Sequence, residues 1–297
     1  MIGLTMKHLR YFEALARHLH FGRAAEDCAV TQPALSMQIK ELEALTGALL
    51  VERGARALRL TPLGEDFATR ARAILASVDE LGDLVRAAQG PGLARLRIGV
   101  IPTIAPYLLP GVITALGRAW PGIDLRPREA VTRRLIADLD QGRLDCAIVA
   151  LPVSEAALHE EPLFDEDFVL VRPLSDAARP VPDAAGLRAM RLLLLEEGHC
   201  FRDQALSYCG AGGAAPRDLM EGSSLSTLVQ MVGAGIGVTL IPEMALPVET
   251  RSAAVALARL PEPRPSRRIG LIWRHSSPLA AQLHQVAAIL RERAAPR

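Results

Sequence analysis

Phe67, Ala71, Ile74, Val78, Leu81 and Val85 recur at alternating steps of four and three. That spacing forms one long helix with a heptad seam along one edge, and a seam of this kind calls for a second helix. Thr61 can cap the helix, with Pro62 at its first position, and Gln89-Gly90-Pro91-Gly92 ends it as a hinge. The chain is thereby divided into a short part before the helix and a long part after it. A helix packed on its own domain is the competing reading. Pairing with a second copy of the helix is preferred.

That first part runs helix, helix, turn, helix. Leu9, Phe12, Leu15 and Ala16 share one helical face, and Phe21 to Cys28 make a second, short helix. Thr31 starts a third, from about Gln32 to Leu45, with Leu35, Ile39, Leu42 and Leu45 turned inward. Its outward face carries Gln32, Ala34, Ser36, Gln38 and Lys40, with Pro33 in the first turn. Such small and polar groups suit base edges and phosphates in a major groove. Two short strands, 49–53 and 58–61, flank a turn of Gly54, Ala55 and Arg56, a wing that offers Arg53, Arg56 and Arg59 to the DNA backbone. Residues 1–63 hold eight Lys/Arg against six Asp/Glu, and the whole chain has a net charge of +1, so charge alone does not announce a nucleic-acid partner. A solvated three-helix domain is the alternative.

From Leu93 the pattern changes to alternating strands and helices. Strands are expected at 96–101, 123–126 and 144–150, and helices at 108–119 and 132–140. A second set begins near 167–171 and includes 192–195 and a helix at 225–232; a strand at 268–273 and a helix at 278–293 then return to the first set. This predicts an α/β domain with a largely parallel sheet. The expected organisation is a winged helix-turn-helix over 1–63, a linker and dimerisation helix with hinge over 64–92, and a two-lobed domain over 93–297. Lobe I would take about 93–166 and 269–297, and lobe II about 167–268. Gly233-Ala234-Gly235-Ile236-Gly237 is not read as a nucleotide loop, because it follows a helix and precedes a strand, the reverse of a dinucleotide fingerprint.

Four cysteines in 297 residues are too few for a secreted disulfide framework. The N-terminus lacks a basic-then-apolar leader, and no run of about 18 apolar residues is present. A cytoplasmic, normally reduced protein is expected. Cys200 and Cys209 flank a polar, helix-compatible stretch, with His199 before the first and Arg202 after it, neighbours that can favour a thiolate. In a continuous helix, rise at ~1.5 Å per residue would separate the two Cα atoms by ~13 Å. A disulfide needs them within roughly 7 Å, so the pair could close only by refolding the segment. The plainer reading is that these are small, buried, inert thiols. Cys28 and Cys146 read as structural. No Cys-x-x-Cys pair occurs, and adjacent His199 and Cys200 are not a chelating spacing, so neither metal nor cofactor is expected.

Several of these stretches carry a resemblance. Ala24-Ala25, Thr31-Gln32-Pro33-Ala34-Leu35-Ser36, Gln38-Ile39, Leu42-Glu43, Leu50-Val51-Glu52-Arg53 and Leu60-Thr61-Pro62-Leu63-Gly64 are similar to the winged helix-turn-helix of LysR-type transcriptional regulators. The run from Gly198 to Cys209 resembles the peroxide-sensing OxyR group of that family. So do Ile98 to Thr103, Pro106 to Pro110, Leu144-Asp145-Cys146 and Glu161 to Glu166. The resemblance extends from Met6 to about Arg291, which makes Met1 to Thr5 a short extension or a misassigned start. It implies a periplasmic-binding-protein-like regulatory domain. Cys200 would be the peroxidatic thiol and Cys209 the resolving one. Thr103, Thr132, His199, Asp203 and Arg267 would surround the peroxide, with Arg268 as a rival to Arg267. Attack would give a sulfenic acid at Cys200, then a Cys200–Cys209 disulfide, reset by a dithiol reductant such as glutaredoxin.

The same resemblance implies no enzyme and no membrane partner. It implies an activator of oxidative-stress genes that binds promoter DNA, works with RNA polymerase, responds to hydrogen peroxide, and assembles from homodimer to homotetramer. Three other readings stay open. One is a LysR-type regulator of a small metabolite in the interlobe cleft, with incidental cysteines. The others are a thiol peroxidase and an interaction module without DNA binding.

Overall fold

The computed structural model describes residues 3–53, 58–88, 93–210 and 219–294. The chain forms two compact units, Met1–Val85 and Arg86–Arg297.

The first unit contains α1 (Met6–His18), α2 (Phe21–Asp27), α3 (Gln32–Thr46), β1 (Val51–Arg53), β2 (Leu58–Leu60) and the start of α4 (Pro62–Ala88). Phe12, Leu15, Leu35, Ile39, Leu42 and Leu50 are fully buried at its centre, and Phe67 meets Phe12 edge-on at 5.2 Å. Leu45, expected inside, is 38% exposed. α3 ends one residue later, with Gly47 left-handed at φ 68°, and its last turn has left the core. Thr31 holds the N-cap position of α3, but its side chain accepts no capping bond. Thr5, in the expected extension, caps α1 by accepting from the His8 amide.

β1 and β2 pair antiparallel, shorter than expected. The tip of the wing, with Arg56, and the hinge at 89–92 lie outside the described residues. Thr61 Oγ1 accepts from the Gly64 amide and donates to the Leu49 carbonyl, both at 2.9 Å, so the capping residue of α4 also fixes the chain entering β1. A methyl group on Gly64 would collide with the Leu50 carbonyl, which is why glycine stands there. Along α4, Ala71 is buried and Phe67 and Val78 are half-buried, while Ile74, Leu81 and Val85 are 48, 63 and 56% exposed. The seam is thus only partly covered by its own unit.

The second unit begins with β3 (Arg95–Val100), α5 (Ala105–Ala119), β4 (Asp124–Glu129), α6 (Thr132–Asp140), β5 (Cys146–Leu151) and β6 (Leu158–Pro173). It continues through α7 (Ala184–Ala189), β7 (Leu192–Leu195), α8 (Cys200–Tyr208), β8 (Leu219–Gly222), α9 (Leu225–Gly233) and β9 (Thr239–Pro242). It closes with α10 (Leu246–Glu249), β10 (Val255–Arg259), β11 (Ser266–Arg274) and α11 (Ala280–Ala294). The main sheet has the order β10-β6-β11-β5-β3-β4, with β9 also on β6.

This sheet is mixed and not largely parallel: β3 pairs parallel with β4 and β5, but β11, β9 and β10 all run antiparallel to their neighbours. The cause is β6, a single strand of 16 residues. Its first part pairs with β11 and its last part with β9 and β10. Two apolar cores result. One gathers residues from Leu93 to Leu163 and from Ile269 to Leu290. The other gathers residues from Phe168 to Leu260, including the parallel pair β7 and β8. The glycine run after α9 leads into β9, with Gly235 left-handed at φ 78°, the helix-to-strand order expected of a turn.

Candidate functional site

Gly198 takes φ 99°, a conformation that glycine alone adopts easily, and turns the chain from β7 into α8. His199 is the N-cap and makes no side-chain capping bond. Cys200 is the first helical residue, half-buried, and packs against the first core. Cys209 is the C-cap at the other end of the same helix, fully buried within the second core. Both thiols are free. Burial pushes the Cys209 thiol up, against the opposing charge of Arg188. Arg188 also donates to the Cys209 carbonyl at 2.8 Å. The helix therefore has one thiol against each core, ~13 Å apart by helical rise.

The charged neighbours of Cys200 do not act as its sequence position suggested. Arg202 is turned away, donating to the Leu195 carbonyl at 2.9 Å and pairing with Glu221. Burial lowers the basicity of His199, against an opposing push from Glu196, so the ring is neutral at neutral pH. What stands at Cys200 is the start of α8, whose first amides lack partners within the helix and so favour an anion.

Beside it lies a buried polar cluster. Arg267 Nη1 donates to Thr103 Oγ1 at 2.8 Å, and its Nη2 to the Thr103 carbonyl at 3.2 Å. Its Nε donates to Glu166 at 2.9 Å, and Glu166 also accepts from the Met244 amide at 2.8 Å. The guanidinium lies 5.6 Å from the centre of the Phe201 ring, which meets Phe168 at 4.7 Å in the second core. Arg267 is 3% exposed, whereas Arg268 is exposed and paired with Asp165. Because Thr103 Oγ1 accepts from Arg267, its own proton is free to be donated elsewhere.

The Thr132 hydroxyl, in the first turn of α6, is buried without any hydrogen-bond partner. Thr103 and His199 line one small cavity of about 130 Å³, together with Tyr107, Ser226 and Glu249. Tyr107 donates to Glu249 at 2.7 Å, and burial together with that bond raises its hydroxyl far above the ordinary range. Asp203 is exposed on α8 and makes no ion pair among the described residues. The structure thus joins Thr103, Arg267 and His199 around one end of α8, and leaves Asp203 outside that group. Glu166 was missed as a site residue, although it stands in the stretch from Glu161 to Glu166.

On α3 of the first unit, Gln32, Pro33 and Lys40 are exposed, and Ala34, Ser36 and Gln38 are half-buried. Met37, not singled out in the sequence, is 63% exposed between them. Gln38 donates to Glu41 at 2.7 Å. The side chain of Arg53 lies outside what is described, as does all of Arg56.

Comparison with known proteins matches residues 6–65 to the bacterial regulatory helix-turn-helix protein of the lysR family, and residues 89–295 to the LysR substrate binding domain. A probable hydrogen peroxide-inducible genes activator of Streptomyces viridosporus is 45% identical over 97% of this chain and 94% of its own. Full-length OxyR of Pseudomonas aeruginosa, a cysteine-to-aspartate variant, superposes with a TM-score of 0.75 at 38% identity, covering 97% of this chain and 95% of that one. A cysteine-to-serine variant of Corynebacterium glutamicum OxyR with hydrogen peroxide bound superposes with a TM-score of 0.66 at 35% identity, covering 97% and 92%.

Proposed function

We propose that this chain, which belongs to the LysR family of bacterial transcriptional regulators and within it to the OxyR group, senses hydrogen peroxide through a reversible Cys200–Cys209 thiol–disulfide switch and controls oxidative-stress genes. The family is one of DNA-binding regulators, not enzymes. The observation that carries the reading is the placement of the two thiols at opposite ends of α8, one against each core.

Cys200 attacks a peroxide oxygen at the helix start. The Thr103 hydroxyl, oriented by Arg267, and the unpartnered Thr132 hydroxyl are the donors for the leaving hydroxide. Cys200 sulfenic acid results. Cys209 then displaces water from it, forming the S–S bond. The sulfur–sulfur bond cannot form across an intact α8, so oxidation must unwind the helix and draw Cys209 from the second core. A dithiol such as glutaredoxin reverses the reaction.

The exposed seam of α4 supports pairing of two chains, extended to a homotetramer on promoter DNA, with α3 reading the groove and RNA polymerase as the downstream partner. Arg267 is assigned the supporting role over Arg268 because it alone reaches Thr103. The cavity beside His199 holds about 130 Å³, below the roughly 300 Å³ usual for small-molecule sites, so a metabolite-sensing regulator would have to use the larger cavity of about 570 Å³ bordered by Pro152, Asp165 and Arg267.

The test is non-reducing peptide mapping after brief exposure to near-stoichiometric hydrogen peroxide. A Cys200–Cys209 crosslink is expected ahead of any change at Cys28 or Cys146. Unmodified Cys200 under those conditions would refute the assignment.

A further inference from the structure

Lobe I carries a second cluster of chemistry-bearing side chains, on the face of β6 toward α11. His159 and Glu161 are two residues apart on one strand and so share a face. His284 comes from α11. His159 Nε2 lies 3.1 Å from Glu161 Oε2, and His284 Nδ1 lies 3.4 Å from the same oxygen. All three donor atoms fall within 4.8 Å of one another, the one such group of three or more found among the described residues.

These separations have a specific meaning. Zinc-class ions hold nitrogen and carboxylate ligands at about 2.0–2.2 Å, which sets neighbouring donor atoms roughly 3.0–3.5 Å apart in tetrahedral or octahedral geometry. Both nitrogen–oxygen separations, 3.1 and 3.4 Å, fall in that range, and the two nitrogens lie within 4.8 Å of each other. The supporting groups are also in place. The other oxygen of Glu161 is taken by Arg291, whose Nε donates to the Pro162 carbonyl at 2.9 Å, so the carboxylate is held in orientation. Burial alone would raise the Glu161 carboxyl, but bonds from Arg291 and His159 outweigh it and keep the group ionised. Trp273, fully buried, contacts both rings, at 4.4 Å from His159 and 5.0 Å from His284. His275 stands edge-on to His159, 5.8 Å between ring centres, and is not one of the three converging donors.

We propose that His159, Glu161 and His284 bind a divalent transition-metal ion of the zinc, cobalt and nickel class. The ion would be held through the imidazole lone pairs and one carboxylate oxygen, the donor types that suit zinc-class ions. The site is separate from the thiols and does not rest on the peroxide reading. Its position on β6 places it on the strand that also carries Glu166, the partner of Arg267.

The test uses tag-free full-length protein in chelator-treated buffer at neutral pH, titrated with Co²⁺. The chain has two tryptophans, Trp120 and Trp273, so a Trp120→Phe background leaves Trp273 as the reporter. Expected are saturable quenching at one equivalent per chain, visible cobalt bands without a thiolate charge-transfer transition, and weakening of about tenfold or more in His159→Ala and in His284→Ala. His284 is half-exposed, so that variant retains the fold, checked by circular dichroism. Cys200→Ser must leave the titration unchanged. Absence of saturable quenching, quenching that survives both histidine substitutions, or its loss in Cys200→Ser would each overturn the proposal. The last result would place the ion at the thiols, where a hydrogen-bonded histidine–glutamate cluster has no part.

Discussion

Phe201→Ala tests the coupling between helix α8 and the thiol chemistry. Phe201 follows Cys200 directly, is 1% exposed, and packs in the second core against Phe168 at 4.7 Å. Closing the disulfide requires ~13 Å of helical separation to fall below roughly 7 Å, and the residues next to Cys200 must leave their helical places to allow it. Phe201 then contributes its burial to the reduced form only. Truncating a buried phenylalanine costs ~3–5 kcal/mol. If that cost falls on the reduced form alone, the disulfide becomes favoured by the same amount. For a two-electron couple ~1.4 kcal/mol corresponds to ~30 mV. The reduction potential should therefore become more negative by about 65–105 mV.

The assay is redox titration in dithiothreitol buffers, with thiol state read by a mass-tagging alkylator on non-reducing gels. Leu290→Ala is the control. Leu290 is fully buried on α11 in the first core, away from the Phe201–Phe168 contact, so its truncation should lower thermal stability with little change in potential. A Phe201→Ala protein that melts earlier yet keeps the wild-type potential would show that the Phe201 pocket is filled in both redox forms. The start of α8 would then not be part of the rearrangement.

Thr103→Val removes the acceptor that faces Arg267 at 2.8 Å. It should lower stability by ~1.5–3 kcal/mol in urea denaturation and slow Cys200 oxidation by ~10²-fold in stopped-flow peroxide kinetics. An unchanged rate would remove Thr103 from the peroxide site. Leu81→Glu places a charge on an α4 residue that is 63% exposed in the single chain. It should shift the protein to smaller assemblies in light scattering without loss of helicity. His199 has its basicity depressed below the ordinary 6.5 by burial. The unfolded chain therefore binds that proton more readily, and stability is lost as pH falls below about 6.5. His199→Gln should flatten the urea midpoint between pH 7 and pH 5, and an unchanged pH slope would refute that cause.

Local periodicity made the first unit legible. Phe12, Leu35, Ile39 and Leu42 lie inside because helical spacing requires it, and Leu45 fails only because α3 ends at Thr46, where the core stops. The sheet was less legible because its direction depends on pairing between distant segments. β6 reads poorly as a strand: Glu160, Glu161, Asp165, Glu166 and Asp167, with Pro162 among them, hide the apolar alternation. Two of those charges are paired across the fold, Glu166 with Arg267 and Glu161 with Arg291. Thiol spacing and flanking residues marked α8, but the fates of its neighbours did not follow from adjacency. Arg202 went to Glu221, and the cation beside Phe201 came from Arg267, 66 positions beyond it in the chain. The three residues of the lobe I cluster were equally hidden, since His284 lies far from His159 and Glu161 in sequence and only α11 brings it to them.

The arrangement around α8 gives the two thiols different surroundings, as the proposed switch requires. Cys209 is fully buried and its thiol is pushed up by that burial. It is protonated and shielded for as long as α8 stays wound. Cys200 is half-buried at the helix start, beside donors fixed by Arg267 and Glu166. Under the proposed switch, forming the disulfide requires α8 to unwind, so the packing of Phe201 and Cys209 in the second core opposes the change. Because Arg267 contacts Thr103 of lobe I, Glu166 of β6 and the face of Phe201 on α8, the unwinding of α8 withdraws a partner from the same guanidinium that orders the first lobe. Under the proposed switch, a local thiol reaction would thereby act on both cores at once.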